Sequence, residues 1–130
     1  YLSNEIVQQA SDIGFEAKRL GVVIDKTQTE SFFSKMILQD LNRLVFSLES
    51  QQAESTLELL HASEKLELSC NLAESQNLFY KKIVSKFREL IKSISKPHER
   101  ELIGLLFDIA ISLNIDIQDY KKLFDKALLR

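Results

Sequence analysis

Gln76 and Asn77 stand side by side just ahead of Phe79 and Tyr80, in the stretch NLAESQNLFYKK. Adjacent amides beside aromatic rings could exchange hydrogen bonds with a polar ligand while a ring supplies a flat apolar platform. Gln76, Asn77 and Tyr80 are therefore the candidate contact residues of the chain. Two other kinds of side chain could do harder chemistry. Carboxylates four apart, Asp12 with Glu16 and Glu54 with Glu58, could share acid–base work. Their helical spacing puts each pair on a polar face, and such pairs read as solvated surface. His61 and His98 are the only histidines. Zinc needs three or four clustered ligands, and neither histidine has a partner at ligand spacing. Cys70 has no His or basic cluster beside it in sequence, so it reads as a small buried hydrophobe rather than a nucleophile. The glycines stand at 14, 21 and 104, too scattered for a phosphate-cradling loop. No residue is assigned a catalytic, cofactor-binding or metal-binding role.

The elements that carry these residues are helices. Leu2, Ile6, Ala10, Ile13, Ala17 and Leu20 recur every three or four positions, the mark of one helix face. After Gly21, Asp25 and Gln28 have the spacing of a capping box. A second helix follows with Phe33, Met36, Ile37, Leu41, Leu44, Val45 and Leu48 on its apolar side. The polar stretch SQQAES starts a third, with Leu57, Leu59, Leu60 and Leu66. Asn71 and Glu74 repeat the capping-box spacing and open a fourth. Its stripe runs through Leu72, Phe79, Tyr80, Ile83, Phe87, Leu90, Ile91 and Ile94. Gln76 falls on that stripe and Asn77 one step off it. A buried amide left without a partner costs about 1–3 kcal/mol, so Gln76 is expected to tie its helix to a neighbouring connector. Tyr80 and Tyr120 are expected in the core. Pro97 suits the first turn of a fifth helix, where an N–H is not needed. That helix, ELIGLLFDIAISL, is apolar on nearly all sides and is expected to be the most buried. Asp116 caps a sixth, IQDYKKLFDKALL.

The helix junctions repeat. LGVVID, LELSCN and LNID each carry a terminal Leu, a short apolar connector and an Asp or Asn cap. A repeat near 46 or 47 residues separates Leu20, Leu66 and Leu113. Connectors this short join adjacent helices. The expected fold is all-α: six helices as three antiparallel helical hairpins in a closed bundle, with residues 1–130 forming a single domain.

Composition agrees. Hydrophobic residues at 45% and charged residues at 28% describe a folded domain rather than a disordered chain. Three glycines and one proline favour long helices over many turns. No apolar run approaches the roughly 18 residues of a membrane span, and no signal peptide opens the chain. The single cysteine fits a reducing, cytoplasmic setting. Net charge is -2, too near neutral to imply a polyanionic partner. Charge is nevertheless uneven. Residues 49–74 hold six Glu against Lys65, and residues 81–100 hold seven Lys and Arg against Glu89 and Glu99. The expectation is that the acidic third helix pairs with the basic fourth across a hairpin, and that nucleic acid is not bound.

Two stretches, EAKRLGVVIDKTQTESFF and LELLHASEKLELSCNLAESQNLFYKK, carry a resemblance. A basic helix end, a connector with an acidic cap, and a later connector leading into Gln-Asn-aromatic resemble the C-terminal helical domain of unknown function in bacterial and archaeal family 57 glycoside hydrolases of the α-amylase and α-mannosidase type. The likeness spans roughly residues 10–94. It departs from the family pattern at NLAES, where an aromatic is usual. The resemblance implies a non-catalytic accessory domain, without cofactor, of an enzyme acting on α-glucans or related sugars. The upstream catalytic domain of the same chain would be its partner, carbohydrate a further one, and this chain a piece of a longer polypeptide. That family's catalytic carboxylates match no position here. A second reading stands beside it: a stand-alone helical-hairpin module that binds a protein partner, since helical repeats present binding surfaces.

Overall fold

The computed structural model of the chain describes residues 26–129. The expected first helix and the Asp25 cap lie outside the described residues. Within them the fold is all-helical. Helix α1 spans Lys26–Phe46, α2 Ser50–Lys65, α3 Ala73–Lys82, α4 Phe87–Lys92, α5 Pro97–Ser112 and α6 Gln118–Leu128. Helices α3 and α4 are two halves of one rod, joined by a 3-10 turn at Val84–Lys86. The described residues thus form five helical rods rather than the six expected of the whole chain.

The break in the α3–α4 rod follows from its sequence. Ile83 and Val84 are consecutive and both are buried. A 3-10 turn advances about 120° per residue against about 100° in an α-helix. Phe79, Ile83, Val84, Phe87 and Ile91 reach the core on both sides of it. Ser85 assists by donating its hydroxyl to the Lys81 carbonyl at 2.7 Å, a back-bond that bends helices.

Phe87 is the hub of that core. Its ring makes edge-to-face contacts with Phe79 at 6.2 Å, Phe107 at 5.2 Å and Tyr120 at 5.3 Å between centroids. Phe107 meets Phe124 in the same manner at 5.4 Å. One ring set therefore links α3, α4, α5 and α6. Helix α1 packs on α2 and α3, α2 on α5, and α4 on α5 and α6.

Among the described helices α2, not α5, buries the most residues. It sinks eight, among them Gln52, Ser55, Thr56 and Ser63, against five in α5. Small and polar residues filling a close helix contact carry little hydrophobic signal. Helix α5 meanwhile leaves Asp108 and Ile111 exposed.

The junction repeat reappears in the backbone. At the end of α2, Glu67 N–H donates to Glu64 O and Leu68 N–H to Ser63 O. At the end of α5, Asn114 N–H donates to Ile111 O and Ile115 N–H to Ala110 O. Both are Schellman closures. Their left-handed residues are Glu67 at φ 57 and Asn114 at φ 59. Asparagine tolerates this conformation; glutamate pays for its Cβ.

Phe87→Ala is expected to lower unfolding free energy by about 3–5 kcal/mol, read as a fall in the chemical denaturation midpoint. Glu67→Gly is expected to raise stability by about 1 kcal/mol, whereas Asn114→Gly changes it by less.

Candidate functional site

The polar residues singled out by sequence gather around the connectors. The 66–72 connector is held from the side by α1. Glu30 accepts a hydrogen bond from Ser69 N–H through Oε2. Ser34 Oγ accepts from Asn71 N–H at 3.1 Å and itself donates to Glu30 O at 2.7 Å. Asn71 Oδ1 in turn accepts from Ala73 N–H at 3.2 Å, an Asx turn ahead of the helix, while the N-cap position itself falls on Leu72 with no side-chain cap, so the expected Asn71 capping box does not form. The Asn71 N–H that Glu74 was expected to accept is taken by Ser34. The side chain nearer in space wins over the one nearer in sequence.

Gln76 does the equivalent work one junction on. Its Nε2 donates to the carbonyl of Leu113 at 2.7 Å, at the start of the LNID connector. Glu30 lies three residues before buried Phe33, and Gln76 three before buried Phe79. Equivalent positions in two hairpins thus hold successive connectors, one as acceptor and one as donor. Asn77 is exposed.

Tyr80 is not a core residue. It is 61% exposed. Phe79 takes the inward position, and Tyr80, about 100° round the same helix, faces outward. Tyr120 is partly buried against the core and meets Phe87.

Two open grooves flank the 66–72 connector. One, of about 670 Å³, is bordered by His61, Glu64, Cys70, Asp108 and Asn114. The other, of about 680 Å³, is bordered by Glu30, Lys35, Asn71 and Glu74. Residues from the C-terminal ends of both α2 and α5 line the first, so these two helices run in the same direction. Cys70 is half-buried, and burial raises its thiol pKa, with Glu30 adding to the rise. The thiol form dominates at neutral pH, and a thiol is a poor nucleophile. His61, His98, Glu54 and Glu58 are exposed; Asp12 and Glu16 lie outside the described residues. Among the described residues no group of three or more His, Cys, Asp or Glu is placed to hold a metal. None of the described helices is long and apolar enough to cross a membrane. The grooves offer hydrogen-bond donors and acceptors on an open surface, which suits contact rather than enclosed catalysis.

The expected pairing of acidic and basic helices does not occur. Helix α2 packs on α1 and α5, while the α3–α4 rod lies on α1, α5 and α6. Among the described residues the cations of segment 81–100 have no ion-pair partner. Sequence adjacency suggested a hairpin, but α5 stands between the two charge sets.

Sequence reasoning missed Asp40, the one charged residue in the buried set among the described residues. It sits on the α1 face that meets α2. Thr56 Oγ1 donates to Asp40 Oδ2 at 2.7 Å and also lies 3.1 Å from Gln52 O. Gln52 Nε2 reaches the Asp40 backbone carbonyl at a long 3.5 Å. Asp40 Oδ1 has no hydrogen-bond partner. Burial raises the carboxyl pKa, against the opposing pull of hydrogen bonds from Thr56, Gln52 and Ser55. In the protonated form the 2.7 Å contact can carry the Asp40 proton, leaving Thr56 to donate to Gln52 O. The only sequence signal was position: Asp40 falls between Ile37, Leu41 and Leu44 on the apolar stripe.

Compared with protein-family models, with curated proteins and with solved structures, the chain matches none.

Gln76→Leu is expected to cost about 1–3 kcal/mol, because Leu113 O loses its partner; a variant as stable as the parent in thermal unfolding contradicts the tie. For Asp40 the folded pKa lies above the ordinary 3.8. The folded state then holds the extra proton, so stability falls as pH rises from that ordinary value through the raised one. Asp40→Asn is expected to be more stable than the parent at pH 7 and to lose this part of the pH dependence, as read from denaturation midpoints between pH 3 and pH 8.

Proposed function

We propose that the chain is a non-catalytic helical module that works by surface contact, as an accessory domain of a cytoplasmic glycoside hydrolase of the family 57 type. The observation that carries the contact reading is the polar, open surface around the 66–72 connector. Glu30, Ser34 and Gln76 are committed to holding connectors, while Asn77 and Tyr80, further along α3 from Gln76, are exposed. An exposed tyrosine next to an exposed amide is a contact pair of the kind that meets another protein surface or a sugar. The attachment to a glycoside hydrolase rests on the resemblance of residues 10–94. On that reading the module packs on an upstream catalytic barrel and shapes access to α-glucans or related sugars. It contributes no acid, base, metal or cofactor of its own.

The internal architecture supports the same view. Parallel α2 and α5, together with matched Schellman closures 47 residues apart at Leu66 and Leu113, favour three antiparallel hairpins assembled as a closed bundle. Such hairpins leave their connectors together at one end, where a partner can be met. A stand-alone module for a protein partner is the second reading. The same exposed Asn77 and Tyr80 serve it equally.

The intact mass of the protein made from its native gene separates the two. A mass far above 15.0 kDa is expected for the accessory domain, and a mass near 15.0 kDa removes that reading. The purified 130-residue chain is also expected to release no reducing sugar from α-glucans. Turnover by the chain alone contradicts both readings.

A further inference from the structure

The described helices stand in two rows. Helix α1, the α3–α4 rod and α6 follow one another in the first, since α1 packs on α3 and α4 on α6; α2 and α5 pair in the second. Charge is sorted by row. The first carries eleven Lys and Arg against six Asp and Glu, a net of +5. The second carries two against six, a net of -4. On α1, Lys26, Lys35 and Arg43 are exposed, whereas Glu30 holds Ser69 and Asp40 is buried, so no acid is exposed on that helix. On the rod, Lys81, Lys82, Lys86, Arg88 and Lys92 are exposed, against Glu74 and Glu89. Aromatic rings interleave with these cations. Among the described residues the exposed Phe and Tyr rings are Phe32 at 53%, Phe46 at 91% and Tyr80 at 61%. All three stand in the basic row. Phe32, Lys35, Gln39, Arg43 and Phe46 recur at three, four, four and three residues, one outward face of α1. Tyr80 immediately precedes Lys81 on α3.

We infer that the basic row binds single-stranded nucleic acid, with phosphates on its cations and unpaired bases stacked on Tyr80, Phe32 and Phe46. Cations that track a phosphate backbone, set among rings that take a base face of any sequence, are what such a strand requires. A duplex keeps its base faces stacked inside, so these rings would find no partner on it. The expectation that nucleic acid is not bound rested on net charge and on pairing between the acidic and basic helices. Neither holds at this surface: the net of -2 averages over two rows of opposite sign, and among the described residues the rod cations have no ion-pair partner. A lipid surface fits less well. The exposed leucines of α6, Leu123 and Leu128, are five residues apart, about 140° round the helix, and form no common apolar edge. The inference goes beyond the accessory-domain reading and holds with or without a hydrolase attached.

Fluorescence anisotropy of a labelled oligo-dT of about 20 nucleotides, titrated with the purified chain, tests the surface. With the five rod cations on phosphates, affinity is expected to fall roughly a hundredfold between about 50 mM and about 200 mM salt. Arg88→Glu/Lys92→Glu is expected to weaken binding and flatten that salt dependence. Tyr80→Ala and Phe46→Ala are each expected to weaken binding about fivefold or more and to leave the salt dependence as it is, while Tyr80→Phe retains affinity. Lys65→Glu, exposed in the other row, is expected to change affinity by less than about twofold. Every substituted position is exposed, so helicity should match the parent. Absence of binding at the lower salt by about 100 μM chain overturns the proposal. So does binding that Tyr80→Ala and Arg88→Glu/Lys92→Glu leave unchanged, or equal affinity for a duplex of the same length. Association with phosphatidylserine vesicles without oligonucleotide binding overturns it in favour of a lipid surface. None of these outcomes alters the intact-mass test of the accessory-domain reading.

Discussion

Phe87 is the contact on which the C-terminal half of the bundle depends. Its ring is buried at the point where the α3–α4 rod resumes after the 3-10 turn. From there it touches Phe79, Phe107 and Tyr120 edge-to-face. An edge-to-face cluster fixes ring angles as well as distances. Four helices are thereby located relative to one another through a single residue. The 3-10 turn is the local cost of that arrangement.

Away from the aromatic hub, the connectors are held by side chains from neighbouring helices rather than by their own sequence. Glu30 and Ser34 hold residues 69–71, and Gln76 holds Leu113. A helix end leaves carbonyls and N–H groups without partners, and a connector only a few residues long cannot satisfy them all. Polar residues on the inner stripe supply what is missing. Gln76 belongs to the framework for this reason, and the residues left for contact are those one step round the helix, Asn77 and Tyr80.

The α1–α2 contact obeys a different constraint. There the helices meet through small and polar residues, and a carboxyl group sits among them with one oxygen unpartnered. Burying a charge is costly unless it is paired, and the raised pKa of Asp40 expresses that cost. Stability of the α1–α2 contact is coupled to protonation of Asp40.

Helix content, stripe membership and junction positions were legible in the sequence because they arise from local periodicity. The buried run Phe33, Met36, Ile37, Leu41 and Leu44 follows from spacing alone, as do Pro97 at a first turn and the matched junctions at Leu66 and Leu113. Which helices become neighbours was not legible, because it depends on how stripes from distant segments fit together. That fit put α5 between the acidic and basic segments, aimed Tyr80 outward once Phe79 claimed the core, and gave Asn71 N–H to Ser34 instead of Glu74. It also buried Asp40 against Thr56, sixteen residues away. Local sequence sets each helix and its apolar face. Only tertiary packing decides which polar group finds a partner and which charge is left facing water.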